Sequence, residues 1–270
     1  MQELTALLMQ DYDLGRAIDG PGNLCRPESK AVKILTEKLQ ILLFPGFFGT
    51  DNGCGSLESY VSMVASEIFW RLDSLIGPLY RDSQKICRDF LWEIPKHRAA
   101  LELDLQAFLL SDPAAEGAEE IIVSYPSFYA IWVQRLAHAL HCKGVPLLPR
   151  MMTELAHSRT GIDMHPGAVL GDAFFIDHGT GVVIGQTTVI GNGVKIYQGV
   201  TLGALSTRGG KHLQGKKRHP TIEDAVTIYA GASILGGDTV IGKGAVIGAN
   251  AFVTASVEPG AVVIGHRTDP

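Results

Sequence analysis

Apolar residues recur at spacings of three and four through the first half of the chain. Val32, Leu35, Leu39 and Leu42 form one such series, and Val61, Val64, Ile68, Leu72 and Leu75 another. This is the stripe an amphipathic helix turns toward a core. Residues 1–150 are therefore expected to form an all-α helical domain. Breaks are expected from Pro45 to Gly55, around Pro95 and at Pro113, with the last long helix beginning near Pro126 and a linker marked by Pro146 and Pro149.

From residue 164 the period changes to six, with apolar residues at Met164, Leu170, Ile176 and Val182, then at Ile184, Ile190, Ile196 and Leu202. Ile222, Ile228 and Ile234 resume the register, and Ile241, Ile247 and Val253 continue it; several are followed directly by Gly. A sustained hexapeptide period predicts a parallel β-helix over residues 160–265, with three six-residue steps closing one coil. The recurrent aliphatic fills the prism, and Gly or Asn supplies corners that need positive φ. A Gly-rich sandwich would instead alternate with period two and show hairpin signals every ~8–12 residues.

Composition sharpens the division into an α+β chain of two architectures. All three tryptophans, Trp70, Trp92 and Trp132, precede residue 133, whereas 21 of the 31 glycines lie between Gly161 and Gly265. With 46% hydrophobic and 19% charged residues in a length of 270, the chain can bury a substantial core, which argues against disorder, collagen and coiled coil. The formal charge of −5 gives no basis for a nucleic-acid partner. Cys25, Cys54, Cys87 and Cys142 make no C-x-x-C pair, so reduced thiols are expected rather than a disulfide framework or a zinc site. The N-terminus lacks a basic segment, and no apolar run approaches the ~20 residues a bilayer crossing needs. A cytoplasmic protein without a membrane partner is the expectation.

Four segments carry a resemblance. Gly161-Ile162-Asp163-Met164-His165-Pro166, Ile176-Asp177-His178-Gly179-Thr180-Gly181, Val200-Thr201-Leu202-Gly203 and Arg218-His219-Pro220 together resemble the serine O-acetyltransferases. The likeness covers the β-helix and reaches back through Ser111-Asp112-Pro113. It implies a left-handed hand for the β-helix and acetyl-CoA as cosubstrate without a metal. It also implies L-serine as acceptor, in the first step of cysteine biosynthesis, and a homotrimer or a hexamer built as a dimer of trimers.

Acyl transfer to an alcohol needs a base at the hydroxyl, donors for the developing oxyanion, and a clamp for both charged ends of the amino acid. An imidazole, with its ordinary pKa of ~6.5, can take that proton at neutral pH. The resemblance makes His178 the general base and Asp163 the carboxylate that hydrogen-bonds it. It sets Arg218 and His219 against the substrate carboxylate, where a guanidinium fork can hold two oxygens, and Asp112 and Asp177 against the ammonium. Judged locally, Asp112 before Pro113 also fits a helix N-cap. Gly203, Ala204, Ala230, Gly231 and Ala249 are small enough to let pantetheine approach the backbone. The cations Lys211, Lys216 and Lys217 are candidates for the coenzyme phosphates. On charge alone, however, the stretch from Arg208 to His219 is solvated surface.

Other classes compete. A sugar or antibiotic O-acetyltransferase shares the repeats but needs no carboxylate clamp. A γ-type carbonic anhydrase would recruit His165, His178 and His219 to zinc, without the expected ligand spacing. A catalytically silent scaffold is the non-enzyme reading. The chain departs from the common pattern in a longer 206–217 loop, in Ala204 where Gly is frequent, and in its tail. Residues 266–270 are a polar stub without the terminal Ile that many members insert into O-acetylserine sulfhydrylase, so no tail-mediated complex is expected.

Overall fold

The computed structural model of the chain describes residues 1–14, 16, 27–49, 56–77, 80–206 and 208–264. Cys25, Cys54 and the 266–270 tail lie outside the described residues. The three-and-four stripes form helices: α1 (Gln2–Tyr12), α2 (Ser29–Leu43), α3 (Pro45–Phe48), α4 (Leu57–Ile76), α5 (Ser83–Trp92), α6 (Ile94–Ser111), α7 (Ala118–Ser124), α8 (Pro126–Cys142) and α9 (Leu148–Thr160). Pro45, Pro95, Pro126 and Pro149 each sit in a first turn, where the missing N–H costs no intrahelical bond. For that reason the linker expected at Pro146 and Pro149 is instead the approach to a helix. α9 packs on α8 and α2 and ends at Gly161, which caps it in the left-handed conformation at φ +70°.

From there the six-residue period winds into coils. The first holds β1 (Asp163–Met164), β2 (Val169–Leu170) and β3 (Phe175–Ile176), and the second β4 (Val183–Ile184), β5 (Val189–Ile190) and β6 (Lys195–Ile196). The third holds β7 (Thr201–Gly203), β8 (Thr221–Ile222) and β9 (Thr227–Ile228), and the fourth β10 (Ser233–Leu235), β11 (Val240–Ile241) and β12 (Val246–Ile247). The last has β13 (Phe252–Val253) and β14 (Val262–Val263). Strands stack in parallel into three faces: β1-β4-β7-β10-β13, β2-β5-β8-β11 and β3-β6-β9-β12-β14. This is the left-handed parallel β-helix.

Two residues in each six point inward. One is the periodic aliphatic, such as Ile184, Ile196 or Ile234, and the other stands two positions earlier, as Val182, Val194 and Ala232 do; all six are buried. The prism is therefore filled rather than hollow, and what remains for chemistry is its outer edges.

α6 and α8 clamp the first coil. Arg135 donates from Nε and Nη2 to the two oxygens of Asp104, each at 2.7 Å, and the Asp104 carboxylate is fully buried. Asp104 also accepts the N–H of Phe174, and Arg135 donates to the Gly171 carbonyl at 2.7 Å. Gln134 donates to the carbonyl of Ala168 at 2.9 Å, and His138 Nδ1 lies 2.8 Å from that of Pro166. Such a pair satisfies every buried charge at once, which is the condition under which burial is tolerated.

Candidate active site

Two edges of the prism carry the chemistry. At one, the chain passes from the third face of a coil to the first face of the next; at the other, it passes from the first face to the second.

The first of these edges needs left-handed corners, and Gly181, Gly199, Gly231 and Asn250 supply them at φ of +79°, +72°, +72° and +58°. His178 leaves β3 here with φ +56°, an uncommon conformation for a non-Gly residue that turns the imidazole outward. Its side chain is 69% exposed, and Nδ1 lies 3.3 Å from Asp177 Oδ1. Asp163 enters β1 just beyond Gly161, at the same edge, and its carboxylate lies 3.6 Å from Nη1 of Arg150. Within one chain, then, the carboxylate beside His178 is the sequence-adjacent Asp177, and Asp163 is engaged by Arg150. Glu154, His157 and Asp163 gather ligand-type atoms within 4.8 Å, but Arg150 already pairs with both carboxylates of that group.

α6 packs on β3, with Phe108 against Phe175 at 4.8 Å between centroids, and Asp112 ends that helix. It is the C-cap of α6 rather than an N-cap: Oδ1 accepts the N–H of Ala114 at 2.8 Å in a tight turn. The turn through Pro113 separates it from α7, so the N-cap reading does not hold. Oδ2 accepts the hydroxyl of Tyr125 at 2.7 Å. That bond, with burial and the charges of Asp112, Glu120 and Asp177, pushes the Tyr125 phenol up to about 12.

The second edge carries Arg218 and His219, delivered by the loop between β7 and β8. Thr187, at the corner after β4, organises both. Its N–H donates to His219 Nδ1 at 3.1 Å, and its hydroxyl lies 2.8 Å from the same nitrogen. The hydroxyl oxygen accepts the backbone N–H groups of Arg218 and His219 at 3.0 and 3.1 Å, so its proton is directed to Nδ1. The network assigns His219 the tautomer with hydrogen on Nε2. Burial, with the charges of Arg218 and Lys217, holds the imidazole down at about 4, so it is a neutral donor at pH 7. Arg218 donates from Nη2 to Gln186 Oε1 at 2.6 Å, which aims the guanidinium.

Lys217 is spent on this corner, donating to the carbonyls of Thr187 at 2.7 Å and Pro220 at 3.1 Å. Lys211, Lys216 and Lys217 are all exposed, but only Lys217 is engaged by these two carbonyls.

The expected residues divide between the edges. His178, Asp177, Asp163, Ala230, Gly231 and Ala249 lie at the first; Arg218, His219, Gly203 and Ala204 lie at the second, and Asp112 sits at the end of α6. His165 shares the second edge with His219, and its imidazole is also held down at about 4, chiefly by burial. The three histidines of the zinc alternative are thus split between two edges of the chain. Thr187, Gln186, Tyr125 and Arg150 were not legible as site residues, since no motif distinguishes them from ordinary corner and helix positions.

No family model matches the chain. A serine acetyltransferase of Synechococcus elongatus is 49% identical, with 74% of this chain and 70% of that protein covered. The chain belongs to the serine acetyltransferase family. It also matches the serine acetyltransferase of Mycobacterium tuberculosis at 49% identity, where the match spans only 53% of that protein. The same family supplies a structural counterpart: serine acetyltransferase 1 of Entamoeba histolytica in complex with L-cysteine superposes with a TM-score of 0.78 at 38% identity, covering 88% of this chain and 87% of that one.

Proposed function

We propose that this chain transfers the acetyl group of acetyl-CoA to the hydroxyl of L-serine, giving O-acetyl-L-serine and CoA, the first step of cysteine biosynthesis from serine. Family membership supplies the reaction class, and the observation that carries the mechanism is the contrast between two histidines. His178 is exposed with Nδ1 beside a carboxylate, while His219 is buried and held neutral with its proton on Nε2.

With Nδ1–H directed to Asp177, Nε2 of His178 takes the serine hydroxyl proton as the oxygen attacks the acetyl carbonyl carbon. The tetrahedral oxyanion collapses, the C–S bond breaks, and the imidazolium returns its proton to the departing CoA sulfur. Asp163, the second carboxylate at this edge, stabilises the imidazolium electrostatically. Arg218 holds the serine carboxylate through its guanidinium fork, and His219 adds an Nε2–H donor that needs no protonation. Asp112 and Asp177 take the ammonium. Pantetheine runs along small positions at both edges, Gly203 and Ala204 on one and Ala230, Gly231 and Ala249 on the other.

In one chain the first face of the prism separates these edges, so the complete site forms where two copies meet, in a trimer or a hexamer built from trimers. The helices up to Thr160 serve as the helical domain and the coils from Asp163 onward as the catalytic β-helix of a cytoplasmic enzyme.

The direct test is loss of acetyl-CoA thioester absorbance with L-serine, homoserine or threonine as acceptor. Serine should be strongly preferred, and His178→Ala should lower turnover by about two to four orders of magnitude. No acceleration by serine contradicts the proposal.

A further inference from the structure

Tyr125 stands at the junction of α7 and α8, directly before Pro126. The following proline disfavours helical geometry at this residue, which is extended at φ −77° and ψ 116°. Its ring packs edge-on against the fully buried Phe108, with centroids 6.1 Å apart. Both ends of the side chain are thereby fixed: the ring by Phe108, the hydroxyl by Asp112 Oδ2 at 2.7 Å. Asp112 in turn has its other oxygen tied to the Ala114 N–H.

A carboxylate at the end of a helix, followed by a turn, would otherwise rotate about χ1 and χ2. Here each oxygen has one donor and keeps a free lone pair, so the carboxylate presents a fixed acceptor surface while remaining only half-buried. Asp177 lies close enough for its charge to bear on the same phenol. Tyr125 is therefore a neutral donor to Asp112, held from its ring side by Phe108.

We propose that Tyr125 is a positioning residue for the ammonium end of the acceptor, orienting Asp112 and so setting the preference for an α-amino hydroxy acid over a hydroxy acid that lacks the amino group. This rests on the reading of Asp112 as an ammonium contact. Tyr125→Phe keeps the ring and its packing on Phe108 and removes only the hydroxyl.

The experiment compares the full-length wild type, Tyr125→Phe and Asp112→Ala by steady-state kinetics with L-serine and by inhibition with 3-hydroxypropanoate, which has the hydroxyl and carboxylate but no ammonium. In Tyr125→Phe the KM for serine should rise about tenfold, the size of one hydrogen bond to a charged group, while kcat and the KM for acetyl-CoA stay within about twofold. Inhibition by 3-hydroxypropanoate should not change. An unchanged serine KM in Tyr125→Phe, or equal weakening of serine and 3-hydroxypropanoate, overturns the inference. If Asp112→Ala weakens serine selectively and Tyr125→Phe does not, only the role of Tyr125 falls. If Asp112→Ala leaves serine and 3-hydroxypropanoate equally affected, the ammonium reading of Asp112 falls and Tyr125 with it.

Discussion

Thr187 holds His219 in one tautomer and one orientation, by an N–H at 3.1 Å and a hydroxyl at 2.8 Å from the same ring nitrogen. The imidazole crowds Gly185, where a Cβ would fall 2.0 Å from Cδ2 and 2.2 Å from Nε2. No side chain larger than hydrogen fits beneath the ring, so the corner after β4 is shaped to carry this histidine. The consequence is a division of labour: His219 is a neutral donor, and in the proposed reaction the base role falls to the exposed His178 beside Asp177.

Thr187→Val removes the hydroxyl while keeping the β-branched shape and the backbone N–H. Three hydrogen bonds are lost, two of them holding the backbone of Arg218 and His219. The KM for serine should rise by about one to two orders of magnitude, with a smaller change in the KM for acetyl-CoA. Initial-rate kinetics with each substrate varied in turn checks this, and equal effects on both would move the Arg218–His219 pair to the coenzyme.

Much of this arrangement was legible before the fold was known, and the reason is periodicity. Ile184, Ile190 and Ile196 mark the prism because one aliphatic in six must point inward at every side. The companion inward set was not legible, because Ala168, Phe174, Thr188 and Thr239 share burial but no chemical type. Helix α9 was hidden behind Pro146 and Pro149, since a proline before a helix and a proline in its first turn look alike in sequence. Asp112 misled in the same way: Asp-Pro suits an N-cap, but the helix it caps is the one that precedes it. Thr187 gave no signal, because its role depends on Arg218 and His219, some thirty residues later, arriving at the same corner one coil above.

The fold should weaken in mild acid. His97, His165 and His219 are each held down at about 4, with burial the first cause. Their unfolded counterparts bind protons from about 6.5 downward, so the unfolded state gains protons first and stability falls as pH drops from ~6.5 toward 4. Urea denaturation at pH 7 and pH 5 should show it. His97→Leu, remote from both edges, should reduce the difference; an identical difference in that variant would mean His97 is not involved.

Asp104→Asn leaves the Arg135 guanidinium buried without its counter-charge, at the joint between α6, α8 and the first coil. Breaking such a pair from one side costs about 3–5 kcal/mol. The variant should unfold at much lower denaturant concentration. Unchanged stability would show that the pair is dispensable to the joint.

In the proposed reaction serine acetylation needs His178 from one copy and His219 from another. Purified His178→Ala and His219→Ala chains should each be nearly inactive in transfer from acetyl-CoA to L-serine. After the two are unfolded together at equal amounts and refolded, an interface with both histidines intact should form at about one position in four of a cyclic trimer. Activity should recover to roughly a quarter of the wild-type value. No recovery, with both variants folded and co-assembled, would place the two histidines in a site within a single chain and contradict the account.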